Sequence, residues 1–382
     1  MNERAGIYVD NLSDKTAYKS FKPSFLPLSI NISDELITSL IEANKQLSLL
    51  EGLSKRIPDI NLFVSMYVRK EALLSSQIEG TQCTLEDILN PFVEQNTNLD
   101  VLDVVNYIKA LNYAINRLKD LPLCNRLIKE THAILLENTR GQEKNPGEFR
   151  HSQNWIGGKG SSLLNASYIP PNPNDMLEAM SNLETYINDE GMLDPLIKVS
   201  LIHYQFETIH PFLDGNGRVG RLLIVLFLME KGILSNPVLY ISYYLKINRI
   251  EYYDRMSGVR QTGNYEQWII FFLKAISETS KDAIRTIDDL INLHDKNTKQ
   301  FVSYSNRQKN SILKVFNYLE SNPIIDIQKT ADVLNMSYNT VANVVSILIK
   351  HNILKQTSKV GKTKIYSYME YLDILAKDTE IL

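Results

Sequence analysis

The side chains best suited to chemistry lie between His210 and Arg221, in the run His210-Pro-Phe-Leu-Asp-Gly-Asn-Gly-Arg-Val-Gly-Arg221 of a 382-residue chain. Gly215 and Gly217 flank Asn216, so successive backbone N–H groups can converge on one concavity. A helix starting here adds its positive N-terminal end, and phosphate oxygens are the natural guest. The stretch Gly215, Asn216, Gly217, Arg218, Val219, Gly220 and Arg221 is therefore the candidate phosphate-binding element. Arg218 and Arg221 stand three apart and share a helix face, and their planar forks suit the β- and γ-phosphates of a nucleotide. A bare carboxylate at Asp214 would repel those phosphates unless a divalent cation, Mg²⁺, lay between them. His210 is placed to take a proton from an incoming hydroxyl, a general-base role worth about 10²–10⁴ in rate. Phe212 anchors the turn. A single histidine is more often structural and two glycines more often an ordinary turn; it is the combination that points to a triphosphate site.

The elements that must hold this turn are helical. Apolar runs from Pro195 to Ile209 and from Leu222 to Met229 flank it and predict two buried helices. Upstream, helices are predicted from Ser33-Asp34-Glu35, over Phe63 to Glu79 with Gly80 as a left-handed cap, over Asp100 to Lys119, and over Asn125 to Glu137. Residues 1–34 read as an extended arm. Between Gly141 and Pro173 the pattern breaks into Asn154-Trp155-Ile156 and Ser167-Tyr168-Ile169, joined by Gly157-Gly158-Lys159-Gly160, a hairpin signal. Helices resume over Asp175 to Glu190 and Tyr265 to Leu293. His203 has no neighbouring acid or cysteine set and reads as packed.

Composition narrows the class. The net charge is −3 and 44% of residues are hydrophobic, ordinary for a globular chain and without bulk attraction for nucleic acid or anionic lipid. Cys83 and Cys124 are too few for a disulfide framework or a four-cysteine zinc site, and they suit a reducing, cytoplasmic setting. No signal-peptide core or membrane span is expected. A polar stretch at His294-Asp295-Lys296-Asn297 reads as a linker. Beyond it, helices over Asn306 to Ser321, Ile327 to Leu334 and Ser337 to Lys350 precede strands around Val360-Gly361-Lys362, which resembles a winged helix-turn-helix unit in which basic charge is concentrated.

The central run matches in full the signature of Fic-domain proteins, which mostly transfer AMP from ATP to a protein hydroxyl. The resemblance continues in Pro146-Gly147-Glu148-Phe149-Arg150 and in Trp155-Ile156-Gly157 through Tyr168-Ile169-Pro170-Pro171, which look like the family's flap. It implies a mainly α fold with a small β-hairpin flap at 147–171 that pairs with the target protein and presents its hydroxyl. It implies a Fic core over 101–293, preceded by an arm and helical region over 1–100. A linker at 294–304 and a winged-helix-like domain at 305–382 follow. By the same resemblance His210 deprotonates a Tyr, Thr or Ser hydroxyl, Asn216 holds the α-phosphate of ATP, Arg218 and Arg221 hold the outer phosphates, and Asp214 carries Mg²⁺. Glu251-Tyr252-Tyr253-Asp254 resembles the adenine-side segment, making Tyr252 and Tyr253 candidates.

A second likeness is Ser75-Ser76-Gln77-Ile78-Glu79-Gly80, which resembles the family's inhibitory helix, here about 63–80. It implies that Glu79, supported by Ser75, pairs with Arg221 and holds the enzyme off. Self-modification and a homodimer are also in scope. Lysines 350, 355, 359, 362 and 364 could meet DNA phosphates, but the expected recognition helix has no arginine for base reading, so target docking or dimerisation ranks above DNA binding. Two other readings stay open: a Fic-fold enzyme with another donor or one that removes AMP, and a non-catalytic nucleotide-sensing DNA-binding regulator. Phosphate transfer goes with lysine where this chain has Gly217.

Overall fold

Two helices that are apolar on every side must be central, and they are. The computed structural model describes residues 3–13, 16–55, 60–158, 160–377 and 379–380; Lys159 of the expected hairpin turn, and the side chain of Phe63, lie outside the described residues. In chain order the elements are β1 (Gly6–Ser13), β2 (Thr16–Pro23), α1 (Asp34–Ser54), α2 (Ile60–Ile78), α3 (Leu85–Leu89), α4 (Leu99–Arg117) and α5 (Asn125–Leu135). Then come α6 (Pro173–Asn188), α7 (Pro195–Ile209), α8 (Asn216–Glu230), α9 (Ser242–Ile247), α10 (Arg249–Thr262) and α11 (Tyr265–Lys299). The last part holds α12 (Asn306–Ser321), β3 (Ile324–Asp326), α13 (Ile327–Leu334), α14 (Tyr338–Lys350), β4 (Lys355–Val360), β5 (Thr363–Ser367) and α15 (Met369–Ala376). The protein is mainly α.

Helix α7 is capped by the Asp194 carboxylate, which accepts from the Leu196 N–H, and has Pro195 at its first position; every residue from Leu196 to Ile209 is buried. Helix α8 is buried from Arg218 to Leu228. The two pack together, with α2, α4 and α5 also against α8, and with α1, α6 and α11 against α7. Polar side chains on these helices are thus held in a low-dielectric interior, where each needs a partner.

Three expectations change. The arm over residues 1–34 includes a β-hairpin, β1 against β2 in antiparallel register from Gly6–Pro23 to Ser13–Thr16. Phe21 is fully buried, and its N–H donates to the Ile169 carbonyl at 2.9 Å, so β2 lies beside the flap. Alternation over Ile7, Val9 and Phe21 was present in the sequence, but its partner strand was the other half of the same arm.

The flap itself is looser than a hairpin of two strands. Among the described residues only Ile156 and Tyr168 bridge, through bonds of 2.8 and 3.1 Å, and Leu163, Leu164 and Asn165 form a turn between them. Side chains fix its base instead: Gln153 donates to the Pro170 carbonyl at 3.0 Å, and the Tyr168 hydroxyl to the Thr208 carbonyl at 2.7 Å.

The expected linker at 294–304 is helical as far as Lys299, because α11 runs on through it. Polar residues do not stop a helix that lacks Gly or Pro, and here they have partners. His294 Nδ1 bonds Glu320 at 2.8 Å, and Asn297, buried, donates to the Tyr368 hydroxyl at 2.6 Å. The last part of the chain is therefore docked on the body. It consists of α12 to α15 and a three-stranded sheet ordered β3-β5-β4. No described helix is long and apolar enough to cross a membrane.

Candidate active site

The site forms where α7 ends and α8 begins. Pro211 cannot continue α7, and His210 closes it in the left-handed conformation, at φ 50°, with its N–H on the Phe206 carbonyl at 2.9 Å. A non-glycine residue pays about 1–2 kcal/mol for this conformation. The surroundings that impose it are visible. Arg150, buried, donates from Nε to the His210 carbonyl at 3.0 Å and reaches the Ser152 and Pro171 carbonyls with its other nitrogens. Asn154 donates to the carbonyls of both His210 and Phe212, at 3.1 and 2.9 Å. The flap base and the histidine turn are one hydrogen-bonded unit.

The state of His210 follows from its contacts. Nδ1 lies 3.3 Å from the Glu207 carbonyl, which can only accept, so Nδ1 carries the proton and Nε2 keeps its lone pair. Burial pushes the imidazole pKa down to about 4, with the Arg150 and Arg260 guanidinium groups acting in the same direction and Glu79 against it. It is a neutral base at pH 7.

Gly215, at φ 75°, begins α8, and no side chain caps the helix. The first intrahelical bond is Val219 N to Gly215 O at 3.0 Å, so the N–H groups of Asn216, Gly217 and Arg218 have no intrahelical acceptor and form an anion seat. The Asn216 side chain is not free to hold a phosphate. Its amide donates to the Phe212 carbonyl and accepts from the Phe212 N–H, both at 2.8 Å, which locks the loop. The side chain satisfies the buried Phe212 peptide, and the group Asn216 has left for a phosphate is its backbone N–H.

Asp214 points outward with a 44% exposed side chain, and its Oδ1 lies 3.9 Å from Arg218. A Cβ on Gly141 would stand 2.8 Å from its Oδ2, so glycine there leaves the carboxylate room. Among the described residues no three His, Cys, Asp or Glu side chains gather as a metal cage. A single outward carboxylate beside a phosphate seat nevertheless fits Mg²⁺, which takes one or two carboxylates and fills the rest of its shell with phosphate oxygens and water.

The two arginines differ in their partners. Arg218 donates to Asp103 of α4 at 2.9 Å, both side chains being nearly buried. Arg221 donates from Nε to the Ser75 hydroxyl at 2.8 Å, and from Nη2 to the Ser75 carbonyl at 2.9 Å and to Glu79 Oε1 at 2.7 Å. Burial raises the Glu79 pKa, but the Arg221 guanidinium outweighs this, with Arg218 and His210 adding, and the carboxyl stays below its usual range. Arg221 is 1% exposed and Glu79 is 40% exposed on their side chains. A Cβ on Gly217 would lie 2.2 Å from Glu79 Oε1, which shows the carboxylate resting on the first turn of α8. Glu79 thus lies against Gly217, beside the anion seat.

Tyr252 and Tyr253 part company. Tyr252 is 1% exposed, with its hydroxyl 2.9 Å from His203 Nε2, while Tyr253 is 43% exposed. His203 Nδ1 donates to the Gly220 carbonyl at 2.9 Å, so Nε2 accepts and the Tyr252 hydroxyl is the donor. Tyr252 is corrected to a core residue, and only Tyr253 faces outward. Helical periodicity puts neighbours about 100° apart, so one of an adjacent pair had to turn inward.

Sequence reading missed three contributors. Asp103 lies in register with Tyr107 and Ala110 on the buried face of α4, and an acid on that stripe was the available signal. His132 was visible on α5 without a role. It accepts from the Gly147 N–H at 2.8 Å, so its Nε2 is the protonated nitrogen and donates to the Asp214 carbonyl at 3.0 Å. Its ring stacks on Phe212 at 3.7 Å and 7°. Arg150 lay in the flap-like segment, but nothing local told that it reaches back to His210.

Gly220 makes a checkable packing claim. A Cβ there would stand 2.1 Å from Glu207 Oε1 and 3.2 Å from Phe206. Gly220→Ala is expected to destabilise the fold by about 1–3 kcal/mol, read as a lower denaturation midpoint, since a buried close contact must open.

Residues 37–116 match the model of the Fic/DOC family N-terminal region, and residues 122–228 match that of the Fic/DOC family. The first match ends at the end of α4, so the division drawn at 100/101 falls within one packed helix. The protein adenylyltransferase Fic of Drosophila willistoni is 30% identical over 179 residues, 44% of this chain and 33% of that protein. That of Culex quinquefasciatus is 34% identical over 135 residues, 35% of this chain and 24% of the relative. The chain thus spans a third or less of the length of these two relatives. A Fic family protein from Desulfovibrio desulfuricans G20 shares the fold, with a TM-score of 0.58 at 17% identity over 89% of this chain and 97% of that one. The chain therefore carries a region similar to the Fic/DOC family N-terminal model, followed by one that matches the Fic/DOC family model and holds the signature turn.

Proposed function

We propose that the chain transfers AMP from ATP to a Tyr, Thr or Ser hydroxyl of a target protein and of itself, and that Glu79 holds this activity off. The observation that supports the reading best is the placement of a neutral His210, its Nε2 lone pair free of the Glu207 contact, beside an anion seat against which Glu79 rests while bonded to Arg221. The name of the curated relatives, protein adenylyltransferase, agrees with it.

In this mechanism His210 Nε2 takes the proton of the hydroxyl. The oxygen attacks the α-phosphorus in line, and pyrophosphate leaves. The N–H groups of Asn216, Gly217 and Arg218 stabilise the charge that develops on the phosphate oxygens, and Arg221, once free of Glu79, holds the γ-phosphate. Arg218 acts from its seat on Asp103, which fixes the direction of its remaining donors. Asp214 would hold Mg²⁺, which when bound supplies charge neutralisation across the phosphates. The flap over 147–171 docks the target's backbone, with Trp155 and Ile156 exposed for that purpose, and Tyr253 lies on the adenine side. The unit over 305–382 is read as a winged helix-turn-helix that docks protein in preference to DNA.

One experiment tests the reading. The Glu79→Gly protein is incubated with Mg²⁺ and ATP labelled at the α or the γ position. Label from the α position on protein supports AMP transfer; label from γ alone means phosphate transfer, and nucleotide binding without any label means a sensor.

The acid limb of the reaction has a definite place. Because burial holds His210 down to about 4, the base form persists well below the usual histidine range. The kcat/KM of Glu79→Gly is expected to stay level from pH 7 to pH 5 and to fall only as pH drops through the region of 4. A limb centred near 6.5 would mean that the titrating base is exposed, and so is another group.

A further inference from the structure

Glu79 lies just past the end of α2, and the Ser75–Glu79 backbone alone cannot fix where its carboxylate falls. What holds this end of the helix is Gln77, whose amide is used completely. Its Nε2 donates to the Cys83 carbonyl at 3.0 Å and to the Thr379 carbonyl at 3.1 Å. Its Oε1 accepts from Lys246 Nζ at 2.8 Å, and Lys246 also donates to the Glu380 carbonyl. Gln77, Lys246 and Thr379 are all buried. The first bond closes the turn over Gly80 to Cys83 that follows Glu79. The others tie it to α9 and to the segment after α15.

The same terminal unit grips α2 further up. Arg69 donates to the Ser321 carbonyl at the end of α12 at 3.2 Å, and α12 packs along α2. Lys329 reaches from α13 to the Pro91 carbonyl at 2.7 Å. The inhibitory helix is therefore clasped between the catalytic pair α7/α8 and the last part of the chain.

We propose that Gln77 is a positioning residue for the Glu79 carboxylate, and that the terminal unit acts through it, with Lys246 and the Thr379–Glu380 backbone forming a latch that sets how firmly Glu79 stays on Arg221. The proposal rests on the reading of Glu79 as the inhibitory group. It gives the terminal unit a role in the transfer reaction without contact to ATP. A partner that seats on this unit and draws residues 379–380 away takes from Gln77 its bond to Thr379 and from Lys246 its bond to Glu380, which loosens the side chain that closes the turn over 80–83 and lets Glu79 swing off Arg221. Binding to a remote surface would then turn on transfer, with no new contact at the active site.

The test uses the full-length protein with Gln77→Ala and Lys246→Met, each alone and combined with Glu79→Gly. Lys246→Met breaks the latch while keeping the α2–Cys83 bond, and it carries the test if Gln77→Ala does not fold. Loss of buried hydrogen bonds of this kind is expected to raise self-modification by α-labelled ATP about fivefold to thirtyfold in the Glu79 background. In the Glu79→Gly background either change should alter it less than twofold, since the group it positions is gone. A purely structural residue would shift both backgrounds alike, and that result, or no change in either, overturns the proposal. Amide hydrogen exchange over residues 76–83 is read in parallel and does not need activity. Faster exchange in both variants supports the latch, and unchanged exchange refutes it even where Glu79→Gly shows no label transfer and it is the enzymatic reading that has failed.

Discussion

His210→Ala is expected to lower transfer of the α-phosphate label by about 10²–10⁴-fold while ATP affinity changes little. The reason for the split lies in which element supplies each contact. Nε2 of His210 is the group with a free lone pair at the end of α7, while the phosphate donors belong to the first turn of α8 and to the arginines held by Asp103 and Ser75. Alanine is also disfavoured at φ 50°, so His210→Asn is the proper companion, because asparagine tolerates the left-handed region. Both variants should bind ATP in a titration and both should fail to transfer. A folded variant within tenfold of the parent would remove His210 from the base role.

Glu79→Gly is expected to act in the opposite direction, raising self-modification about tenfold to a hundredfold. That range corresponds to losing one charge-assisted hydrogen bond of about 1.5–3 kcal/mol that competes with the γ-phosphate. The change is local. Glu79 follows the last helical residue, Ile78, so glycine there does not interrupt α2. Arg221 keeps the Ser75 hydroxyl and carbonyl, which holds its guanidinium in place with one N–H of Nη2 released. The measurement is the initial rate of α-label incorporation at saturating Mg²⁺ and ATP, and equal rates for parent and variant would show that Glu79 does not restrain the reaction. An ATP affinity that rises with the rate would indicate that Glu79 excludes the nucleotide; a rate that rises at constant affinity would indicate that it misplaces the α-phosphate.

The parts of the site that were legible in the sequence are those that lie on one continuous stretch. From His210 to Arg221 the order of residue types reports the local geometry directly. Proline ends a helix, glycine opens the next, and residues three apart share its face. The helical body was legible for a related reason, since an apolar face repeats within each segment. The Glu79 motif was visible too, although its pairing with Arg221, 142 positions away, rested on resemblance alone until the 2.7 Å contact was seen.

Elsewhere the reading failed where a partner from another segment decided the outcome. The polar run after Leu293 remained helical because Glu320 and Tyr368 were waiting for His294 and Asn297. Tyr252 turned inward because His203 needed a donor. Asp103 is marked only as an acid on an apolar stripe, and His132 and Arg150 carry no local mark, since their targets lie on other elements.

The sequence by itself determined the turn from His210 to Arg221, the helical class and the inventory of groups that could bind phosphate or move a proton, because these depend on backbone conformation and spacing over a few residues. Only the tertiary structure decided which carboxylate faces which arginine, which tyrosine is exposed, and that the end of α2 is held by Lys246 and Thr379. The reason is burial. In a low-dielectric interior every charge and amide must find a partner, and the folded path of the chain, not the local sequence, brings those partners within reach.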